Sequence, residues 1–463
     1  MEFVSEESKE YANNFIAFLN EACTAFHAVE AAKKRLLLAG FTELSEKSMW
    51  SLEKNGKYFF TRGGTTLMAF AVGGNYIPGN GFTVIGAHTD SPCLRIKPVT
   101  TITRSDCLML NTQPYGGGLW HTWFDRDLGI AGKIVVTNSA GGLDQQLVRI
   151  NKAIARIPNL AIHLTEDRDK FSPNLHEHCM ALLTMIPNLV THKAPSNNTT
   201  MTRLNPVLLD LVSTELNIPV DSIVDLELQL IDIQPSCFGG LTDELVVSGR
   251  LDNLCSSYQA LSSLIDESKQ SLTNASNIYM IMLFDHEEVG SSSCTGAGSS
   301  LFMNTLTLIN QALTDGLSST LMNSLRKSFV VSIDMAHGLH PNYSAKHDSS
   351  MAPRFNGGLV IKHNANQRYA TTSSSASMFR EFAKLADVPC QEFAVKSGSG
   401  CGSTIGPIIS TLSGIMTVDC GTPQYSMHSI RECMATSDAY TGYRHLRSTF
   451  QHHFALAAKS NLD

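Results

Sequence analysis

The sequence predicts an α/β fold in which helices cover an open sheet, and three features carry that reading. The runs "NIYMIMLF" (277–284) and "FVVSID" (329–334) are continuously apolar, as in strands buried on both faces. Between them, "SSLFMNTLTLINQALTDG" has apolar residues at helical spacing, so strand and helix alternate. Polar, metal-competent residues collect just after the apolar runs, where sheets of this kind bind their ligands.

Taken in order, Tyr11, Phe15, Phe18 and Leu19 recur at helical spacing and suggest two helices in the first forty residues. A hairpin follows around "TRGGTT", and "GFTVIGAHTDSP" reads as a short buried strand ending in polar residues. From about Cys93 to Val246 the texture changes. This stretch holds the β-like runs "KIVVTN" and "LELQLIDI", a Gly-rich patch "YGGGLWHTWFDRD" and a Ser/Asn/Pro linker "HKAPSNNTTMTRLNP". It reads as a separate domain or a decorated insertion. Beyond Arg250 the alternation resumes: a helix over "SSASMFREFAKLADVP" closed by Pro389, a strand over "GIMTVDCG", and a last helix from Ser437 to Lys459.

With 463 residues, 43% of them hydrophobic and 17% charged, the chain has ample core and exceeds the size at which one core stops growing. A formal charge of −7 leaves no basic surplus for nucleic acid as the main partner. No apolar run is long enough to span a membrane. The acidic start "MEFVSEESKE" does not read as a signal peptide, so a cytosolic location is expected. Eleven scattered cysteines without a C-x-x-C pair fit reduced thiols, and the sequons at Asn198, Asn274 and Asn342 then carry no information.

His88 and Asp90 close one strand, Asp252 follows "VVSGRL", Glu287 and Glu288 follow "IYMIMLF", Asp334 ends "FVVSI", and His428 lies beyond "IMTVDCG". Each alone is weak evidence, because a lone polar residue at a strand end is usually a cap or a solvated turn. Together they make a zinc-like ligand set of imidazoles and carboxylates, and a two-metal site needs one bridging carboxylate plus terminal ligands. Residues two apart on a strand share a side, so Asp90 can support His88 through its second ring N–H. The adjacent glutamates lie past the strand end, where the chain turns, so one can bind metal while the other serves as a base.

The motifs "GAHTDSPCLRIKP", "YGGGLWHTWFDRDL", "GRLDNL", "DHEEVGS", "SIDMAHGLHPNY", "NQRYAT", "CGSTIGP" and "MHSIRE" together resemble the aspartyl aminopeptidases, the M18 group of dinuclear zinc exopeptidases. The likeness runs over essentially the whole chain. It implies a helix-covered mixed sheet of the phosphorylase/hydrolase-like type (1–92 and 247–463) interrupted by a β-rich dimerisation domain (93–246). It also implies two Zn²⁺ per subunit, with Mn²⁺ or Co²⁺ as substitutes at one site. His88 and Asp334 would hold one ion, Glu288 and His428 the other, with Asp252 bridging and Glu287 as general base. Asp90 resembles the residue supporting the first histidine. His337, Lys362 and Tyr369 look like substrate-pocket residues beside Glu287 and Asp334, and His163 like one that reaches a neighbouring subunit's site. The implied activity is removal of N-terminal Asp or Glu from peptides by a metal-activated water, in a cytoplasmic, tetrahedral homododecamer.

The rival readings are an M18-like aminopeptidase preferring neutral residues, a dinuclear phosphoesterase or deacylase, and a non-catalytic assembly or cargo scaffold. "LHEHC" and "QHHF" are expected to be surface histidines. The patch "YGGGLWHTWFDRDL" lacks the Lys-Ser/Thr ending of a phosphate loop and is expected to be packing within the insertion.

Overall fold

The strands Phe82–His88 and Ile278–Phe284 run parallel with Phe284 opposite His88, and every residue of both is buried. They sit at the centre of a nine-stranded sheet in a computed structural model that describes residues 4–166, 168–185, 203–314 and 316–462. The strand order is Thr42–Glu43, Lys57–Arg62, Thr66–Val72, Ile278–Phe284, Phe82–His88, Phe329–Ile333, Met416–Gly421, Leu359–His363, Cys390–Ala394. The strands from Ile278–Phe284 to Met416–Gly421 are mutually parallel, so their carboxyl ends share one edge. Antiparallel neighbours on both flanks make the sheet mixed.

Alternate residues of these strands enter different cores, which is why the runs are apolar without interruption. Ile85, Ala87, Ile281, Leu283, Val331 and Ile333 pack in one cluster with residues of the helices Glu6–Glu21, Leu251–Gln270 and Thr436–Ala457. Val84, Met280, Met282, Phe284 and Val330 pack in another, with residues of Leu301–Leu313 and Ile405–Ser413. The two N-terminal helices form as the spacing predicts. Ser5 and Thr24 accept backbone N–H groups of their first turns and so cap them. The hairpin at "TRGGTT" turns through Gly63 and Gly64, both at positive φ.

The chain divides into two compact units: Met1–Asp90, Ser236–Met427 and Glu432–Asp463 form one, Ser91–Pro235 and His428–Arg431 the other. The return to the first unit therefore comes at 236 and not at 247. The strands Cys237–Gly239 and Leu245–Ser248 pair with each other and then with Glu432–Ala435, inside a five-stranded sheet that also holds Pro423–Tyr425 and Ala336–His337.

The second unit has its own antiparallel six-stranded sheet, in the order Leu143–Ala155, Leu128–Thr137, Ile223–Asp232, Cys93–Arg104, Cys107–Tyr115, Ala181–Met185. Leu208, Leu209 and Val212 of the helix Pro206–Leu216 complete its core with Ile130, Leu228 and Leu230. Trp123 and Phe124 join that core, so the aromatic half of the Gly-rich patch is packing, as expected. The patch also meets the segment His428–Arg431 of the same unit. Leu119 N–H donates to the His428 carbonyl, Thr122 Oγ1 accepts the Ile430 N–H, and Arg431 donates to the carbonyls of Gln234 and Pro235. Residues 192–202 of the predicted linker, with Asn198, lie outside the described residues.

Candidate metal centre

His88 is the last residue of its strand and Asp334 follows the neighbouring Phe329–Ile333, so the parallel register brings them to the same sheet edge. Gly421 permits the approach of the next strand, because a Cβ there would lie 1.6 Å from the Asp334 carbonyl oxygen. Asp252 arrives on the helix Leu251–Gln270, whose start is irregular: Arg250 has φ of 61° and Asp252 is not helical. That start is tied to the two strand ends. Asn253 Nδ2 donates to the Ile333 carbonyl at 2.9 Å, and Ser257 Oγ to the His88 carbonyl at 2.7 Å.

The His88 ring is nearly inaccessible to solvent. Its Nδ1 donates to the Asp90 backbone carbonyl at 3.0 Å, which leaves Nε2 facing inward. Facing Nε2 are Asp252 Oδ1 at 3.3 Å, Asp334 Oδ1 at 3.6 Å and Glu287 Oε2 at 3.8 Å. The ligand atoms of His88, Glu287 and Asp334 lie within 4.8 Å of one another, and so do those of His88, Asp252 and Glu288. The two glutamates thus fall in different groups that share one imidazole.

Their separation is a property of the turn. His286 at φ of 63° and Gly290 at φ of 94° bracket a 3-10 turn over Glu287–Val289, so successive side chains splay. Asp90 holds this turn: its Oδ1 accepts the Glu287 N–H at 3.2 Å and its Oδ2 the Glu288 N–H at 3.1 Å. The support expected from the Asp90 carboxylate for His88 is therefore shared. The backbone carbonyl takes the ring N–H, while Oδ1 stands 3.4 Å from Nδ1 and the carboxylate anchors the glutamates.

The electrostatics of the cluster favour positive charge. Burial, followed by repulsion from Asp334, Asp252 and Asp90, pushes Glu287 up to about 8 despite the opposing pull of His88. Burial and Asp252 raise Glu288 well above the usual carboxylate range. Burial alone would lower His88, yet hydrogen bonds with Asp252, Asp334 and Asp90 carry it well above the ordinary histidine value. Three carboxylates, those of Asp252, Asp334 and Glu287, are directed at His88 Nε2 and favour positive charge among them, and an N/O donor set of this kind suits zinc.

Other predicted residues lie in the same unit. Lys362 is buried, which excludes a solvated surface lysine: its Nζ donates to the Met335 carbonyl at 2.9 Å and lies 5.4 Å from the Tyr369 ring centroid. His337 reaches solvent at the end of the short strand Ala336–His337. His428 and His163 belong to the second unit. His428 Nδ1 donates to the Gly117 carbonyl, which leaves Nε2 as the ring's lone-pair nitrogen, and His428 is in neither group of converging ligand atoms. His163 is exposed on the short turn Ile162–Leu164.

The expectation of surface histidines holds for His176 and His178 but not for His453. The last helix turns His453 under the sheet, where Thr83 Oγ1 meets its Nδ1 at 2.7 Å and Phe329 packs on the ring. Residue patterns also missed Asn253, Ser257 and Glu432, none of which sits at a strand's carboxyl end.

Residues 18–450 match the family model of the aminopeptidase I zinc metalloproteases, M18. The chain belongs to the M18 family. A probable aspartyl aminopeptidase of Ricinus communis is 44% identical over 97% of both chains. The Ape4 chain solved in complex with Nbr1 is 40% identical with a TM-score of 0.95, covering 99% of this chain and 88% of that one. The Saccharomyces cerevisiae mApe1 dodecamer gives 26% identity and a TM-score of 0.87 over 98% and 99% of the chains. This M18 protein is thus a zinc-family metalloaminopeptidase with the family's mixed α/β fold. Among its described residues, no helix is long and apolar enough to cross a membrane.

Proposed function

We propose that this chain removes acidic residues, Asp or Glu, from the N-termini of peptides, using two zinc ions. The observation that carries the reading is the convergence of His88, Asp252, Glu287, Glu288 and Asp334. In this assignment His88, Asp252, Glu288, Asp334 and His428 would hold the ions. When bound, zinc supplies Lewis acidity toward the scissile carbonyl and lowers the pKa of water. Glu287 takes the proton of the attacking water and delivers it to the leaving amine. Asp90 keeps the glutamates apart, and the Asp90 carbonyl keeps His88 Nε2 directed inward.

Acidic preference is supported by the name of the Ricinus communis relative and by buried Lys362, whose charge favours a carboxylate side chain. Tyr369 packs against that ammonium, and His337 would contact substrate. A homododecamer, tetrahedral by resemblance, is supported by the solved mApe1 assembly, and within it His163 would contribute to a neighbour's site. Eleven scattered cysteines without a C-x-x-C pair support a reducing, cytoplasmic setting.

The test is Glu287→Gln. Zinc content measured by elemental analysis should stay at the wild-type level while kcat on an Asp-initiated peptide falls on the order of 10³-fold. Near-normal turnover would remove Glu287 from the base role.

A further inference from the structure

Glu432 opens the strand Glu432–Ala435 and is almost wholly buried. Its Oε2 accepts the backbone N–H of Asp252 at 3.2 Å, and its Oε1 accepts Nε2 of buried Gln424 at 3.2 Å. The strand register explains how residues so far apart in sequence meet. Ser248 pairs with Glu432, and the chain then reaches Asp252 through Gly249, Arg250 and Leu251. On the other side Gln424 pairs with His337, and its carbonyl accepts the Gly338 N–H at 2.9 Å. One buried carboxylate therefore links the main chain of Asp252 to the strand that positions His337.

The Asp252 amide needs such a partner. First-turn N–H groups of a helix have no acceptor within the helix, and here the left-handed Arg250 and non-helical Asp252 prevent an ordinary side-chain cap. A charge-assisted hydrogen bond from another strand fixes the peptide plane that leads into the Asp252 side chain. We infer that Glu432 is a positioning residue for Asp252, holding its carboxylate where it can retain metal. This rests on the reading of Asp252 as a metal ligand and adds the group that sets its geometry. Glu432 itself is in neither group of converging ligand atoms.

Two substitutions separate reach from charge. Glu432→Gln keeps the length and an acceptor oxygen, and a turn of the Gln424 amide can satisfy the new NH₂. Glu432→Asp keeps the charge but falls short of the Asp252 amide by one methylene. Zinc retention would be measured by dialysis against a competing chelator, alongside kcat, KM and the unfolding midpoint. The expected result is a 10–100-fold loss of zinc affinity in Glu432→Asp, with kcat falling in step and KM little changed. Glu432→Gln should stay within about threefold of wild type, since a neutral hydrogen bond is weaker but still aligned. Zinc retention by Glu432→Asp equal to wild type, or better than that of Glu432→Gln, would overturn the inference alone. A wild-type chain that takes up no zinc would overturn the metal-centre reading and this inference with it.

Discussion

Asp90 Oδ2 accepts the backbone N–H of Glu288 at 3.1 Å. Its other oxygen accepts the preceding amide, so a single carboxylate determines where both glutamates of "HEEVG" point. Replacing Asp90 with Ala should free the turn and lower kcat by about 10–100-fold, as for other outer partners of metal ligands. Asp90→Asn, which keeps one acceptor oxygen, should fall between. Steady-state kinetics on one Asp-initiated peptide decides it, and Asp90→Ala within twofold of wild type would show that the clamp is dispensable.

Zinc binding should release protons. In the metal-free chain Glu287 is raised to about 8 and His88 well above the ordinary histidine value, so both carry protons at pH 7. A cation favours the carboxylate and the neutral imidazole and expels them. Calorimetric titration of the metal-free chain with zinc, in buffers of different ionisation enthalpy, should give at least one proton released at pH 7 and fewer at pH 9. The same uptake at both pH values, with no proton change, would contradict the description of the centre.

Lys362→Met should alter selectivity more than turnover. The thioether replaces the ammonium that lies beside Tyr369, and a substrate carboxylate would lose its partner. We expect kcat/KM for Asp-initiated peptides to fall on the order of 10²-fold while Leu- and Ala-initiated peptides change little. An equal fall for all three would mean that Lys362 serves only to hold the Met335 carbonyl, its hydrogen-bond partner.

Two buried histidines should make the fold acid-sensitive. Burial lowers His445 to about 4 and His453 to about 3, well below the unfolded value near 6.5. Both are depressed, so their contribution is complete above pH 6.5 and is lost as the pH falls toward those folded values, because the unfolded chain takes up protons first. At pH 5 each should cost on the order of 2 kcal/mol. The urea midpoint of His453→Gln should therefore change less between pH 7.5 and pH 5 than that of wild type, and an unchanged slope would exclude His453 from the acid response.

The strands and helices of the catalytic sheet were legible because its strands are covered on both faces. Ile278–Phe284 has to be apolar at every position, and Asp334 and the polar stretch Asp285–Glu288 stand out directly after such runs. His453 was misread because "QHHF" has no local mark of burial: what makes it a core residue is Thr83, 370 positions away. The return to the first unit was placed late for a related reason, since Leu245–Ser248 is a short strand whose partner, Glu432–Ala435, lies near the other end of the chain.

The sequence by itself determined the kinds of chemistry available: an imidazole and carboxylates at successive strand ends, two adjacent glutamates past a strand, and motifs resembling one family of zinc exopeptidases. Only the tertiary structure decided how those groups are held. Asp90 reaches across to residues 287 and 288, Asn253 to Ile333, and Glu432 to Asp252. Local periodicity reports which side of an element is buried. It does not report which distant amide a buried carboxylate must accept, because that is set by strand register and helix entry once the chain has packed.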